Sequence, residues 1–381
     1  MMESLVARSR YEALNHFVYL NQASLGLIPR ESVDAMTSFL RDVAQHGNIR
    51  LSDVAETKVL DELRVAAAGF LDAPQRSIAV LGGAGEGLGQ IAATLATPSA
   101  EVLLVPTDFP SVTYPWLAAR DRLGLTIRWV EDMPAADLTT ALMDSITDST
   151  SVVCVSAVQY ATGTSVDVGA IVERAHEVGA RVVVDVTQLA GAAPVSMRDW
   201  SADALVCSGY KWLSTHGGVA ILAVDEDLIR TTPTLVGWKG ANDPFAFDGG
   251  TLRLADNARR FELSTMAYCS AVGLNSSLAL LSDVGMTAMQ DHALALATEL
   301  VDRVKPLDWI PFHELGPGAS AHIVCLRHPS LAAPRVQAVL AADHRLIVSA
   351  RGGSIRVSLH GYNDSSDINL LADALATIER A

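Results

Sequence analysis

Residues 182–191 read VVVDVTQLAG: three valines, an aspartate, a fourth valine, then Thr187, Gln188 and a patch of small residues. The valines mark a strand buried on both faces, and a bare carboxylate has no place there. Burial of an unpaired charge costs several kcal/mol or forces the group to neutralise, so Asp185 requires a cationic partner. The same pattern recurs on either side of it. Between about residues 75 and 225, the apolar runs SIAVLGG, EVLLVP, TIRWVED, SVVCVSAV, RVVVDV, ALVCSG and GVAILAV alternate with amphipathic stretches. In GAIVERAHEVGA, for example, Ile171, Val172, Ala175 and Val178 fall at helical spacing. This rhythm predicts an α/β fold whose large domain is a mostly parallel sheet covered by helices.

Beyond about residue 260 the pattern changes. Long helix-like stretches (AYCSAVGLNSSLALLSDVG, TAMQDHALALATELVDRV) are followed by the strands AHIVCLRH and SIRVSLH and a last helix, SDINLLADALATIER. These predict a smaller α+β domain. We therefore expect an N-terminal segment over 1–28 packing on the small domain, a large domain over 29–258 and a small domain over 259–381.

Composition narrows the partners. The 381 residues carry 28 Lys and Arg against 43 Asp and Glu, a formal net charge of -15. Nucleic acid and anionic membranes both call for a basic face, so neither is expected and the ligand should be a small molecule. Mean hydropathy is +0.26, yet no apolar run reaches the roughly 18 residues of a membrane span. The amino-terminal stretch MMESLVARSRYEALNHF also lacks a signal-peptide core, and a cytoplasmic protein is expected. Cys154, Cys207, Cys269 and Cys325 are widely spaced and mostly sit in apolar runs. They read as reduced thiols, with no metal site.

Ligands of open parallel sheets bind beyond the carboxyl ends of the strands. Four such ends carry chemistry: GGAGEG after SIAVL, TDFPS after EVLLVP, Asp185 to Gln188, and SGYKW after ALVC. The last holds one of only four lysines in the chain, Lys58, Lys211, Lys239 and Lys305. Arginine cannot replace a lysine that must lose its proton to act as a nucleophile, which singles out Lys211 among so many arginines.

VVVDVTQLAG followed by RDWSADALVCSGYKWL resembles the fold-type I pyridoxal-phosphate enzymes of aminotransferase class V, a family that includes cysteine desulfurases, isopenicillin N epimerase and kynureninase. The likeness continues through YLNQASLGLIP, DFPS, VQYATG, GWKG and IRVSLHGYND, so it covers nearly the whole chain. The resemblance implies that the missing cation is the protonated pyridine nitrogen of pyridoxal 5'-phosphate, paired with Asp185, and that Lys211 forms the Schiff base and then moves protons. It also implies that Gln188 donates to the ring's phenolic oxygen and that Phe109 stacks on the ring. Ala84, Gly85, Ser208 and Tyr210 would bind phosphate, with Gly85 standing where a threonine is common. Trp238 and Thr265 match segments that reach the phosphate across a dimer interface, so a homodimer with shared sites is implied.

Arg356 alternates with the apolar residues of SIRVSLH, so a strand would turn it away from the core. By resemblance it binds the carboxylate of an amino-acid substrate, where a guanidinium can fork onto both oxygens. Ser24, Leu25 and Gly26 would close over that substrate. A desulfurase needs a loop cysteine shortly before this arginine, and LIVSARGGSIRVS has none. Val112 and Gln188 depart from kynureninase. The favoured activity is a carbon–sulfur lyase acting by β-elimination on an S-substituted cysteine in specialised metabolism. Aminotransferase, decarboxylating deaminase and epimerase are the alternatives within the family. From a different class, GLGQIA at 87–92 fits G-x-G-x-x-A and Asp108 follows about 20 residues on, the pattern of a nicotinamide-dependent dehydrogenase.

Overall fold

The computed structural model describes residues 2–133 and 137–380. A short strand β1 (Val18–Tyr19) precedes the strands of the large sheet: β2 (Ile78–Leu81), β3 (Glu101–Leu104), β4 (Thr126–Trp129), β5 (Thr150–Ser156), β6 (Arg181–Asp185), β7 (Ala204–Ser208) and β8 (Ala220–Val224). They lie in the order β2-β8-β7-β6-β5-β3-β4. All pairings are parallel except those of β8, which runs antiparallel to both β2 and β7. Strands β7 and β8 are buried from end to end and β6 after its first residue, as their valine, leucine and alanine runs require when helices cover both faces.

The carboxyl ends of β5, β6 and β7 lie side by side. Ser156 is the register partner of Asp185, and Asp185 that of Val206, two residues before Ser208. Adjacent parallel strands thus bring the ends of SVVCVS, RVVVD and ALVCS to one edge.

The smaller sheet comprises β9 (Ile310–Pro311), β10 (Ile323–Arg327), β12 (Ser349–Arg351) and β13 (Ser354–Ser358), in the antiparallel order β12-β13-β10-β9. Strand β11 (Leu346–Ile347) pairs instead with β1. Val324, Leu326, Ile355 and Val357 form one face of the small sheet and pack with Leu296, Leu300, Leu340 and Leu371 of flanking helices. Asn21 bridges to Ser358 and the Ser358 N–H donates to the Leu20 carbonyl, so the amino-terminal segment runs along this sheet. The helix Tyr268–Val284, which the sequence pattern groups with the smaller domain, packs on the helices Arg30–His46 and Asp53–Phe70. Its Tyr268, Ala271, Leu274, Leu278 and Leu281 belong to the core under the large sheet.

Candidate active site

A cavity of about 240 Å³ opens where the large sheet's strand ends converge. Its walls include Ala84, Gly85, Phe109, Asp185, Gln188, Ser208, Tyr210 and Lys211, all singled out from sequence. Lys211 and Asp185 are both buried, and each feels the other's charge. Burial lowers the Lys211 ammonium to about 8, the negative Asp185 partly opposing this and the positive Arg356 and Arg351 adding to it. Burial raises the Asp185 carboxyl above its usual range, against hydrogen bonding from Thr187 and the charge of Lys211. The Thr187 N–H donates to Asp185 Oδ1 at 2.8 Å, and Thr187 Oγ1 accepts from the Ser208 N–H at 3.1 Å. One threonine therefore links the ends of β6 and β7.

Lys211 Nζ lies 5.0 Å from the centroid of the Phe109 ring and 5.7 Å from that of Tyr210. Phe109 is fixed by its position immediately before the helix Pro110–Leu123 and meets Tyr160 edge-on at 5.3 Å. The helix Ala84–Leu95 starts at the cavity wall, so the free N–H groups of its first turn are available to an anion. Gln188 Oε1 accepts from Trp212 Nε1 at 2.8 Å and Nε2 donates to the Ala23 carbonyl at 3.1 Å.

Arg356 is 1% exposed and sits on the face of β13 opposite the small-domain core, turned toward the large domain. Its Nη1 donates to the Tyr160 carbonyl at 2.6 Å and its Nη2 to Ser24 Oγ at 2.5 Å, while Nε has no partner. A buried guanidinium held only by neutral acceptors is short of an anion, and burial lowers it to about 10. Gly26 lies against the turn that carries Lys211. Its N–H donates to the Tyr210 carbonyl, and a Cβ there would overlap the Lys211 carbonyl oxygen. Gln22 completes this clasp, with Nε2 donating to the Lys211 carbonyl at 3.0 Å and Oε1 accepting from Tyr362 at 2.9 Å.

Trp238 and Thr265 lie apart from this cavity within the single chain. Trp238 packs edge-on against Phe245, and the Lys239 ammonium lies 4.3 Å from its ring centroid. Among the wall and anchoring residues not singled out from sequence are Gln22, Ser156 and Tyr160. The rule that found the other strand ends, applied to SVVCVS and the VQYATG after it, reaches Ser156 and Tyr160. Among the described residues no cluster of three or more His, Cys, Asp or Glu could hold a metal ion, and no helix is long and apolar enough to cross a membrane.

A lysine and a carboxylate buried together at the carboxyl edge of a mostly parallel seven-stranded sheet, with a smaller domain's arginine facing them, define the fold-type I class of pyridoxal-phosphate-dependent enzymes. The chain belongs to the aminotransferase class-V family, whose model matches residues 18–371. It is 27% identical to a probable cysteine desulfurase of Methanothermobacter thermautotrophicus, over 96% of this chain and 95% of that one. It is 30% identical to a kynureninase of Deinococcus radiodurans, over 84% of this chain and 80% of that one. In fold it is similar to an apo cysteine desulfurase from Thermococcus onnurineus, with a TM-score of 0.87 and 22% identity over 98% of this chain and 97% of that one. It is equally similar, at a TM-score of 0.87 and 23% identity over 96% and 99%, to a cystine C–S lyase in complex with its product cysteine persulfide.

The dehydrogenase alternative is thereby corrected, and the structure gives the reason. GLGQIA lies inside the helix Ala84–Leu95 rather than in a strand-to-helix turn, and a Cβ on Gly87 would meet Leu81 and Val206. Gly87 therefore serves helix-to-sheet packing. Strand β2 before it is the antiparallel edge of the sheet, and Asp108 is consumed by Ser156 and Gln159.

The residues present fit pyridoxal phosphate. The buried Asp185 lines a cavity that a ring cation can enter, glycine backbone and a helix start on the same wall form an anion cradle, and a lysine with a lowered pKa lines that cavity too.

Proposed function

We propose that the protein is a carbon–sulfur lyase that eliminates a thiol from an S-substituted cysteine. The observation that carries this reading is the pairing of the Lys211–Asp185 site with a hairpin that bears no thiol. Desulfurases place a nucleophilic cysteine before the substrate arginine, and here that stretch forms β12, the turn Gly352–Gly353 and β13. Cys325 opposes Arg356 on β10, but it is buried, donates to the Ala161 carbonyl, and burial pushes its thiol up to about 12. A thiol so placed is a packing group rather than a sulfur acceptor.

Bound pyridoxal phosphate supplies an electron-accepting ring that stabilises negative charge developing at the substrate's Cα. Asp185, a carboxylate in a dry setting, holds a proton on the ring nitrogen. The first-turn N–H groups of Ala84 and Gly85, with Ser208 and Tyr210, would hold the phosphate, and Phe109 would pack on the ring. Gln188 contributes a donor at the phenolic oxygen. Arg356 takes the substrate carboxylate with the two amino groups now resting on Tyr160 and Ser24. Lys211 Nζ takes the proton from Cα and returns one to the departing sulfur. The Cβ–S bond breaks, and water completes conversion of the remaining fragment to pyruvate and ammonia. An S-substituted cysteine from specialised metabolism is the source we favour.

We also propose that two chains associate. Leu235, Val236, Trp238, Phe247 and Leu252 are exposed together around the loop 235–252, an apolar cluster of the kind that marks an interface. Trp238 and Thr265 would then serve the partner's phosphate site. Light scattering that returns a single-chain mass would remove this part of the reading.

The deciding experiment incubates the holoenzyme with a panel of S-alkyl cysteines and identifies products by mass spectrometry. Free thiol with pyruvate is expected. Aldehyde with carbon dioxide, or keto acid with pyridoxamine phosphate, would replace the lyase with a deaminase or an aminotransferase. A stereoinverted amino acid would indicate the epimerase.

A further inference from the structure

The small sheet has two chemically different faces. One packs Val324, Leu326, Ile355 and Val357 into the small-domain core. Register places Cys325, Ser349 and Arg356 abreast on the other face, with Arg351 opposite Ser354 one step along. Arg327 continues β10 directly after Leu326, which pairs with Ile355, and so also falls level with Ser354. Strand alternation then projects Arg327, Arg351 and Arg356 from the same face. Arg351 and Arg356 are diagonal neighbours, a relation that separates residues by about 7–8 Å.

Among the described residues, no carboxylate meets these three guanidinium groups. Arg327 donates to Ser354 Oγ and the Gly352 carbonyl, Arg351 to the Ala350 carbonyl, and Arg356 to the Tyr160 carbonyl and Ser24 Oγ. Every one of these acceptors is neutral. Asp132 acts on this face from beyond Cys325, but its oxygens accept from the Thr162 and Thr164 hydroxyls. Three cations without an anionic partner among the described residues gather here, in a chain whose net charge is -15.

The three are not equivalent. Arg356 is buried, and Arg327 is held against the Phe312 ring at 4.6 Å. Arg351 is exposed, on a hairpin whose turn glycines both take left-handed backbone, φ +53° at Gly352 and +79° at Gly353. Its charge and that of Arg356 both reach Lys211. The same face thus offers two cations to the site, a buried one at Arg356 and an exposed one at Arg351, its diagonal neighbour.

We propose that Arg351 is a specificity residue that binds a second acidic group, a carboxylate or sulfonate, on the side chain of the substrate. This rests on the reading of the site as a lyase for S-substituted cysteines, and it narrows the substrate class to conjugates whose sulfur substituent is itself acidic. Arg356 takes the α-carboxylate and Arg351 the distal acid, so neutral conjugates fill the site without using the second cation.

The test compares kcat/KM of the holoenzyme for S-carboxymethyl cysteine and for the neutral S-propyl cysteine. The acidic conjugate is expected to be favoured by about tenfold or more, the factor one charge-assisted contact supplies. Arg351→Gln should bring the ratio near one, and Arg351→Lys should restore part of it. Arg335→Gln, which removes an exposed arginine from the helix Ala333–His344, should leave the ratio as it was. A wild-type ratio of one or below, or an Arg351→Gln ratio equal to wild type, overturns the proposal. If no conjugate releases thiol, the lyase reading fails by itself and a binding measurement decides this one. Glutarate and butyrate are titrated into holoenzyme while the absorbance of bound cofactor is followed. Tighter binding of glutarate in wild type but not in Arg351→Gln upholds the second acid site, and equal affinities overturn it.

Discussion

The backbone of Gly26 lies against the carbonyl of Lys211 so closely that a methyl group on residue 26 would overlap that oxygen. The Gly26 N–H also donates to the Tyr210 carbonyl at 2.9 Å, so the amino-terminal segment is locked to the turn that carries the lysine. Gly26→Ala must push that turn or the segment aside. We expect a loss of about 1–3 kcal/mol in stability, as for overpacking elsewhere. Chemical denaturation measures it, and weaker retention of cofactor on dialysis should accompany it.

Lys211→Ala should abolish both turnover and the visible absorbance of covalently held cofactor while the protein still folds, as circular dichroism would report. If the variant kept that absorbance, one of Lys58, Lys239 and Lys305 would be the attachment point. Lys239 is the buried rival, and its ammonium donates to Glu56 at 2.7 Å, away from the cavity.

Asp185→Asn removes the negative charge beside the ring nitrogen without changing side-chain size. The rate of Cα proton exchange into deuterated solvent should fall by about 10²-fold or more, roughly 3 kcal/mol of transition-state stabilisation. An exchange rate near wild type would show that Asp185 serves another group.

Uptake of pyridoxal phosphate by the apoprotein should depend on the proton of Lys211. Its folded value near 8 lies below the 10.5 of a free lysine, so the neutral amine becomes abundant as pH rises through about 8. Reconstitution followed by absorbance should accelerate across that window and level off above it. The linked stability has the same sign. Between about 8 and 10.5 the unfolded chain binds the proton more tightly, so this residue's share of stability grows as pH rises.

Arg64 and Glu262 form a buried pair with contacts of 2.7, 2.7 and 3.0 Å, and Glu262 Oε1 also accepts from the Val80 N–H. The pair joins the helix Asp53–Phe70 to the edge strand β2. Glu262→Ala leaves a buried guanidinium with only Asp61 as ionic partner and should cost about 3–5 kcal/mol, read as a lowered denaturation midpoint. A loss below about 1 kcal/mol would mean that water reaches Arg64 in the variant.

The sequence by itself determined most of the secondary elements and the mostly parallel rhythm, and it pointed to Asp185 and Lys211, because these depend on local pattern. Buried parallel strands must be apolar throughout, so RVVVD announced both a strand and an anomaly within it. A chain rich in arginine that keeps a lysine beside a strand end announced Lys211. Only the tertiary structure decided which glycines reach the cavity: Gly85 lies on its wall, while Gly87, two residues on, packs against the sheet. It also decided that Arg356, 332 residues from Ser24, is buried and bonded to it. Alternation along SIRVSLH shows that the arginine leaves one face, but not what the other face meets. That is settled by the docking of the small sheet and amino-terminal segment on the large domain, which brings together residues whose separation along the chain carries no period to read.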